Sequence, residues 1–82
     1  MAVFVVPPIF RIDLGRDVLR SDAPDVESLL AEVRLHIPPE RQPLLARGSV
    51  LVNGRSIHRL RGMATPLSAE DQVWVVFPAA GG

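Results

Sequence analysis

The residues of this chain that could do chemistry sit at its end, in "VWVVFPAAGG" (73–82). Pro78 donates no amide and so ends a strand ladder. Ala79, Ala80, Gly81 and Gly82 cannot pack a core or hold a helix. A frayed terminus could look the same, but such tails are more often polar. A peptide without bulky side chains can thread a narrow channel, and its glycines adopt whatever backbone angles the walls impose. What it delivers is one carboxylate. That group is a poor electrophile until it is given a leaving group, which an acyl-adenylate made with ATP would supply. The chemistry to expect is a carboxylate that another protein activates.

Other reactive groups are few. There is no cysteine, so disulfides, thiolate nucleophiles and cysteine metal sites are excluded. All nine cationic residues are Arg, so no side chain offers an amine for an isopeptide bond or Schiff base. Tyr is absent as well. His36 and His58 lie at no metal-ligand spacing and read as structural or solvated; no metal site is expected. Glu70 and Asp71 are adjacent, so in a strand they would point to opposite faces and suit capping or turn duty better than paired acid/base work. No phosphate-binding glycine loop or nucleophile elbow occurs. Arg47, Arg55, Arg59 and Arg61 cluster around a hairpin. They read either as an ordinary solvated face or as a docking patch for an acidic partner.

These residues need elements to hold them. "AVFVV" (2–6) is β-branched, aromatic and stopped by Pro7-Pro8, which predicts a buried strand. Phe10, Ile12 and Leu14 alternate with charges, and the segment reads as extended or as a linker tucked under a sheet. "DVLRSDA" (17–23) predicts a weaker strand antiparallel to the first. In "PDVESLLAEVRLHIPP" Asp25 caps a helix whose Val26, Leu29, Leu30, Val33 and Ile37 form one apolar stripe. Glu27 and Glu32 fall on its wet side, and Pro38-Pro39 end it. Residues 39–47 read as a connector anchored by Leu44 and Leu45. "SVLVNGRSI" (49–57) predicts a hairpin, because Asn53-Gly54 accepts the positive φ its turn needs. Residues 58–71 read as a loop anchored by Leu60 and Leu67, and "QVWVVF" (72–77) as the last strand. In it Val73, Val75 and Phe77 point one way, Trp74 and Val76 the other. One helix covers one face of a sheet, so the other face keeps an apolar surplus that favours a protein interface.

Eighty-two residues allow one domain with a modest core. The 48% hydrophobic and 22% charged composition reads as globular. A net charge of zero gives no general field toward nucleic acid or membrane. No apolar stretch is long enough to span a bilayer and no signal pattern is seen, so the expected location is cytoplasmic. The first and last strands are the most uniformly apolar, which suits central, neighbouring positions. The expected fold class is α+β: a β-grasp, ubiquitin-like mixed sheet of four to five strands packed on one main helix. The expected division is a domain over residues 1–78 and a flexible tail over 79–82.

The segments "VFVVPP", "GRDV", "APDVESLL", "VLVNGR", "TPLSAEDQVWVVFP" and the terminal "AAGG" together resemble the MoaD/ThiS ubiquitin-like sulfur carriers, and most closely the small subunit of molybdopterin synthase. The resemblance covers nearly the whole chain. It implies that an E1-like adenylyltransferase adenylates the Gly82 carboxylate with ATP. A sulfur donor of desulfurase or rhodanese type then gives a thiocarboxylate. The tail next enters the large subunit of molybdopterin synthase, and the sulfur builds the dithiolene. Gly82 would be the working residue and Gly81 would serve fit. Phe77 and Pro78 would guide Ala79 and Ala80, and the apolar strand face, with Val75, would dock both partners in turn; Arg55 and Arg59 are the basic contacts. The chain would be a co-substrate and non-catalytic subunit with no cofactor of its own, and a homo-oligomer is an option when it is alone. Phe77-Pro78 stands where the family often has Pro-Pro. Asn53-Gly54 follows the helix, whereas thiamine-branch carriers place that turn in the first hairpin; this favours the molybdenum branch. Carriers for thiamine, cysteine, tungsten cofactor or tRNA thiolation, and a ubiquitin-like modifier joined to lysines through Gly82, stay open.

Overall fold

The structure is a computed structural model and describes residues 1–78. Five strands form one mixed sheet: β1 (Ala2–Val5), β2 (Val18–Ser21), β3 (Ser49–Val52), β4 (Arg55–Ser56) and β5 (Gln72–Val76). Their spatial order is β2-β1-β5-β3-β4. β1 and β5 are central neighbours and run parallel, with Phe4 beside Val73. β1 pairs antiparallel with β2, and β3 pairs antiparallel with both β4 and β5. The parallel pair at the centre forces a long connection over one face. The main helix, α2 (Val26–Arg34), lies in that connection.

The helix forms where its stripe and caps predict. Asp25 is extended (φ −151°) and its Oδ1 accepts from the Ser28 amide at 2.8 Å. That bond holds the Asp25 carboxyl below the usual carboxylate range, with a Ser28 side-chain bond second and desolvation opposing. At the other end Gln42 Nε2 donates to the Arg34 and Ile37 carbonyls at 3.2 and 2.9 Å, so open acceptors past the last turn are met. Val26, Leu29, Leu30, Val33 and Ile37 are all buried. They share one core with Phe4, Leu19, Val52, Val73 and Val75 from the sheet and with Val6 just past β1. Glu32 departs from the wet side expected of it: it is half-buried and accepts from the buried Ser21 hydroxyl, joining α2 to β2.

Three segments hold more structure than their sequence patterns predict. Residues 8–14 are neither extended nor a plain linker. Pro8–Phe10 is a 3₁₀ turn that runs into a one-turn helix, α1 (Arg11–Leu14). Phe10 and Leu14 tuck into the core while Ile12 is 87% exposed, so the apparent period-2 alternation was not strand periodicity. Residues 39–47 contain α3 (Gln42–Ala46), with Pro43 in its first turn, where its missing amide costs nothing. The 58–71 loop carries 3₁₀ turns at Ile57–Arg59 and Gly62–Ala64. It is stapled to the helix start by Val26 N to Thr65 O (3.1 Å) and Leu67 N to Pro24 O (2.9 Å). Leu60 is an exposed rim residue and Leu67 a partly buried anchor.

The hairpin and the acidic pair do turn work. Asn53 and Gly54 both have positive φ, 51° and 84°. Asn53 Nδ2 donates to Asp71 Oδ1 and Asn53 Oδ1 accepts from the Gln72 amide, each at 2.9 Å. Asp71 Oδ2 accepts from the Ser68 amide at 2.7 Å. Asp71 therefore ties the β3–β4 turn to the start of β5, and Glu70 supplies the left-handed corner at φ 71°.

Candidate functional site

At the end of β5 the last described residues, Phe77 and Pro78, follow the sheet. The ladder to β3 closes at Ser49–Val76. Phe77 follows, about one-third exposed (36%), and exposed Pro78 can donate no further ladder bond. The Phe77 ring turns to the helix side of the sheet, 6.3 Å from the centroid of buried Phe10 with the planes at 56°. Gly48 lies against it: a Cβ there would come 3.1 Å from Phe77 Cε1 and would collide with Val75 Cγ1. Only glycine lets the two strand ends approach this closely. Phe10 and Gly48 carried no functional signal in the sequence, although a Gly directly before a strand hints at a close backbone approach. Ala79, Ala80, Gly81 and Gly82 lie outside the described residues.

β5 divides its side chains as its alternation predicts. Val73 (0%) and Val75 (6%) face α2 and are buried. Trp74 and Val76 face away and stay 43% and 44% exposed. This corrects the placement of Val75 on a docking surface: it packs in the core, because odd-numbered residues of this strand meet the helix layer. The open face is a cross-strand row. Val18 opposes Val5, and Leu51 opposes Trp74. The parallel Phe4–Val73 register sets Val5 beside Trp74. Val18 is 41% exposed, and Val5 and Leu51 are half-buried. The outward members are thus Trp74 and Val76 with Val5, Val18 and Leu51.

The four arginines separate in space. Arg55 and Arg61 line one open groove of about 700 Å³ beside the hairpin, over Val52, Leu60 and Pro66. Arg47 and Arg59 are exposed but do not line it. Among the described residues the ion pairs are Arg11–Asp17 and Arg41–Asp13, so the groove arginines have no carboxylate of their own. Thr65 on the groove wall is fully engaged, its Oγ1 accepting from Arg61 N (3.0 Å) and donating to Gly62 O (2.7 Å). His36 and His58 are exposed, and no cluster of potential metal ligands occurs among the described residues. Among those residues, no helix is long and apolar enough to cross a membrane.

This arrangement has relatives. The ThiS family model matches residues 12–82. No curated protein matches the chain. A chain of the Amycolatopsis orientalis BexX/CysO complex is similar with a TM-score of 0.82 at 17% identity, over 100% of both chains. CysO of Mycobacterium tuberculosis is similar with a TM-score of 0.79 at 13% identity, over 96% of this chain and 100% of that one. The small archaeal modifier protein 1 of Methanosarcina acetivorans gives 0.76 at 20% identity, over 99% and 95%. Identities this low speak for the fold, which is the ubiquitin-like β-grasp predicted from the element order. With a family match that runs from α1 through the last residue, the chain belongs to the ThiS family.

Proposed function

We propose that this protein is a sulfur carrier that works through the carboxylate of Gly82. The observation that carries the reading is the ThiS family match extending through residue 82, on a domain whose last strand ends at Val76 and hands over to Pro78. A carboxylate oxygen attacks the α-phosphorus of ATP in an E1-like adenylyltransferase, and pyrophosphate leaves. The terminal sulfur of a persulfide on a desulfurase or rhodanese-type donor then attacks the acyl carbon and displaces AMP. A thiol cleaves the resulting acyl disulfide by attack on the donor sulfur, which leaves in a new disulfide. The product is a thiocarboxylate. The domain contributes no catalytic group to these steps. It presents the carboxylate and docks.

Docking falls to the open sheet face around Trp74 and Val76, and to the groove between Arg55 and Arg61. The first offers apolar area, the second positive charge with no carboxylate partner among the described residues, which steers an acidic surface. For the acceptor we propose the molybdopterin precursor, on the combined "VLVNGR" and "EDQVWVVFP" motifs. A similar fold occurs in the BexX/CysO complex, which is in keeping with a small domain of this fold that meets a protein partner.

Intact-mass measurement of protein isolated from its native host tests the reading. One oxygen-for-sulfur exchange at the C-terminus is the expected result. Gly-Gly remnants on lysines of other proteins would instead make the chain a modifier, and an unaltered carboxylate with no E1-like partner in pull-down would leave an interaction module. Sulfur transfer to the pterin precursor in the presence of a molybdopterin synthase large subunit is the test of the acceptor.

A further inference from the structure

The residue that launches the tail lies one position beyond the last ladder pair, Ser49–Val76, so what fixes Phe77 is its ring. The ring rests against Phe10 on one side and the bare backbone of Gly48 on another. Phe10 is itself covered. The guanidinium of Arg41 stands over it, Cζ 5.7 Å from the ring centroid, close enough for cation–π attraction. Arg41 is held in that pose by three bonds. Nε and Nη2 donate to Asp13 Oδ2 at 3.2 and 3.1 Å, and Nη2 donates to the Ile9 carbonyl at 2.7 Å. The Asp13 side chain is 7% exposed and that of Arg41 34%. One planar fork thus ties the Pro8–Leu14 segment to the entry of α3, across 28 positions of chain. Lys could not reproduce it, because an ammonium lacks the fork and the stacking plane.

We propose that Arg41 and Asp13 are positioning residues for the tail: acting through Phe10, they hold Phe77 so that the chain is launched at Pro78 in one direction. The proposal rests on the reading of Gly82 as the working carboxylate. Four residues reach at most about 14 Å, so the direction of the root decides where the carboxylate can go. A root that swings spreads the carboxylate over a wide volume, and ordering it in a partner's channel then costs entropy. A held root removes that cost before binding. The effect belongs to docking and not to bond making, so it appears in KM and not in kcat.

Two measurements on the full chain test this. The first needs no partner: ¹⁵N relaxation of wild type, Arg41→Ala and Arg41→Lys. In wild type the Phe77 amide is expected near the rigid limit, about 0.85 in order parameter, and in Arg41→Ala below about 0.6, while Val73 and Val75 stay rigid. Arg41→Lys recovers part of the loss. Arg11→Ala, which breaks the exposed Arg11–Asp17 pair (3.3 Å), changes nothing at Phe77. An unchanged Phe77, or a loss shared equally by Val73 and Val75, overturns the clamp. The second is ATP–pyrophosphate exchange with the E1-like enzyme. Arg41→Ala is expected to raise KM for the carrier roughly tenfold with kcat unchanged. Phe77→Ala, which releases the same contact from its other end, should do likewise, and the double variant should be no worse than either single one. Additive effects in this cycle overturn the coupling. Wild type that supports no exchange overturns the carboxylate reading instead, and the Phe77 order parameters still decide the clamp.

Discussion

Val73 and Val75 on one side of β5, and Trp74 and Val76 on the other, are side chains of similar chemistry with opposite fates. The first pair is buried under α2, and the second is more than two-fifths exposed. Nothing in the strand's own composition separates them. The difference comes from the number of layers: the helices pack on one face, and among the described residues no helix covers the other face of the five-stranded sheet. A strand that is apolar on both sides therefore divides labour residue by residue. Odd positions stabilise the domain, and even positions remain for a partner. Stability and docking can then be altered independently, which is what the proposed carrier, meeting more than one enzyme in turn, requires.

The largest expected effect tests whether the tail stands apart from both faces. Deleting Gly82, or adding any residue after it, should abolish thiocarboxylate formation, read by intact mass after incubation with the activating enzyme and sulfur donor. Thermal unfolding should be unchanged, because the core built from the described residues is left intact. Surviving sulfur transfer would mean that the carboxylate is not the working group.

On the inward face, Phe4→Ala removes a fully buried ring beside Val73. It should cost about 3–5 kcal/mol in urea unfolding. In a domain this small, that is a large part of the total. A loss under about 1 kcal/mol would show that this face is not the stabilising one.

On the outward face, Trp74→Ala should cost less than about 1 kcal/mol of stability. It should weaken binding to the activating enzyme by about 2 kcal/mol, roughly thirtyfold in Kd by calorimetry. The reverse outcome, a destabilised domain with unchanged affinity, would break the division between the faces.

The smallest effect is at Asp25, the helix cap. Its carboxyl titrates below its ordinary value of 3.8 because it accepts from the Ser28 amide. A depressed pKa in the folded state favours folding above that ordinary value. The contribution fades as pH falls through 3.8 and toward the lower folded pKa. Asp25→Asn keeps a cap and removes this dependence, so the acid limb of its Tm-against-pH curve should be slightly flatter than that of wild type.

Much of the molecule was legible because local rules and the tertiary fold agree. The Asp25 cap, the stripe from Val26 to Ile37, the Asn53-Gly54 turn and the strand periodicity each state one local requirement that the fold meets. The segments that misled are those where a local pattern had two solutions. Phe10, Ile12 and Leu14 alternate like a strand, yet a helical turn buries the first and last and leaves Ile12 in water. Gln42–Ala46 is helical although Pro43 suggested a connector, since proline is tolerated in a first turn. Of the site, the split between inward and outward residues of β5 was readable from parity alone, but the burial of Val75 ruled it out as a contact.

By itself the sequence determined the β-grasp, the strand parity and the run of small residues from Ala79 to Gly82 on which the proposed chemistry rests, because these depend on residue type and on neighbours along the chain. The tertiary structure alone decided which arginines share a groove, and that Arg41, Asp13, Phe10, Gly48 and Phe77 meet at the tail root. Those residues are brought together by the parallel pairing of β1 with β5 and the return of β3 beside it. Contacts of that sequence separation leave no periodic trace in the chain, since they are set by how the layers pack and not by how any one element forms.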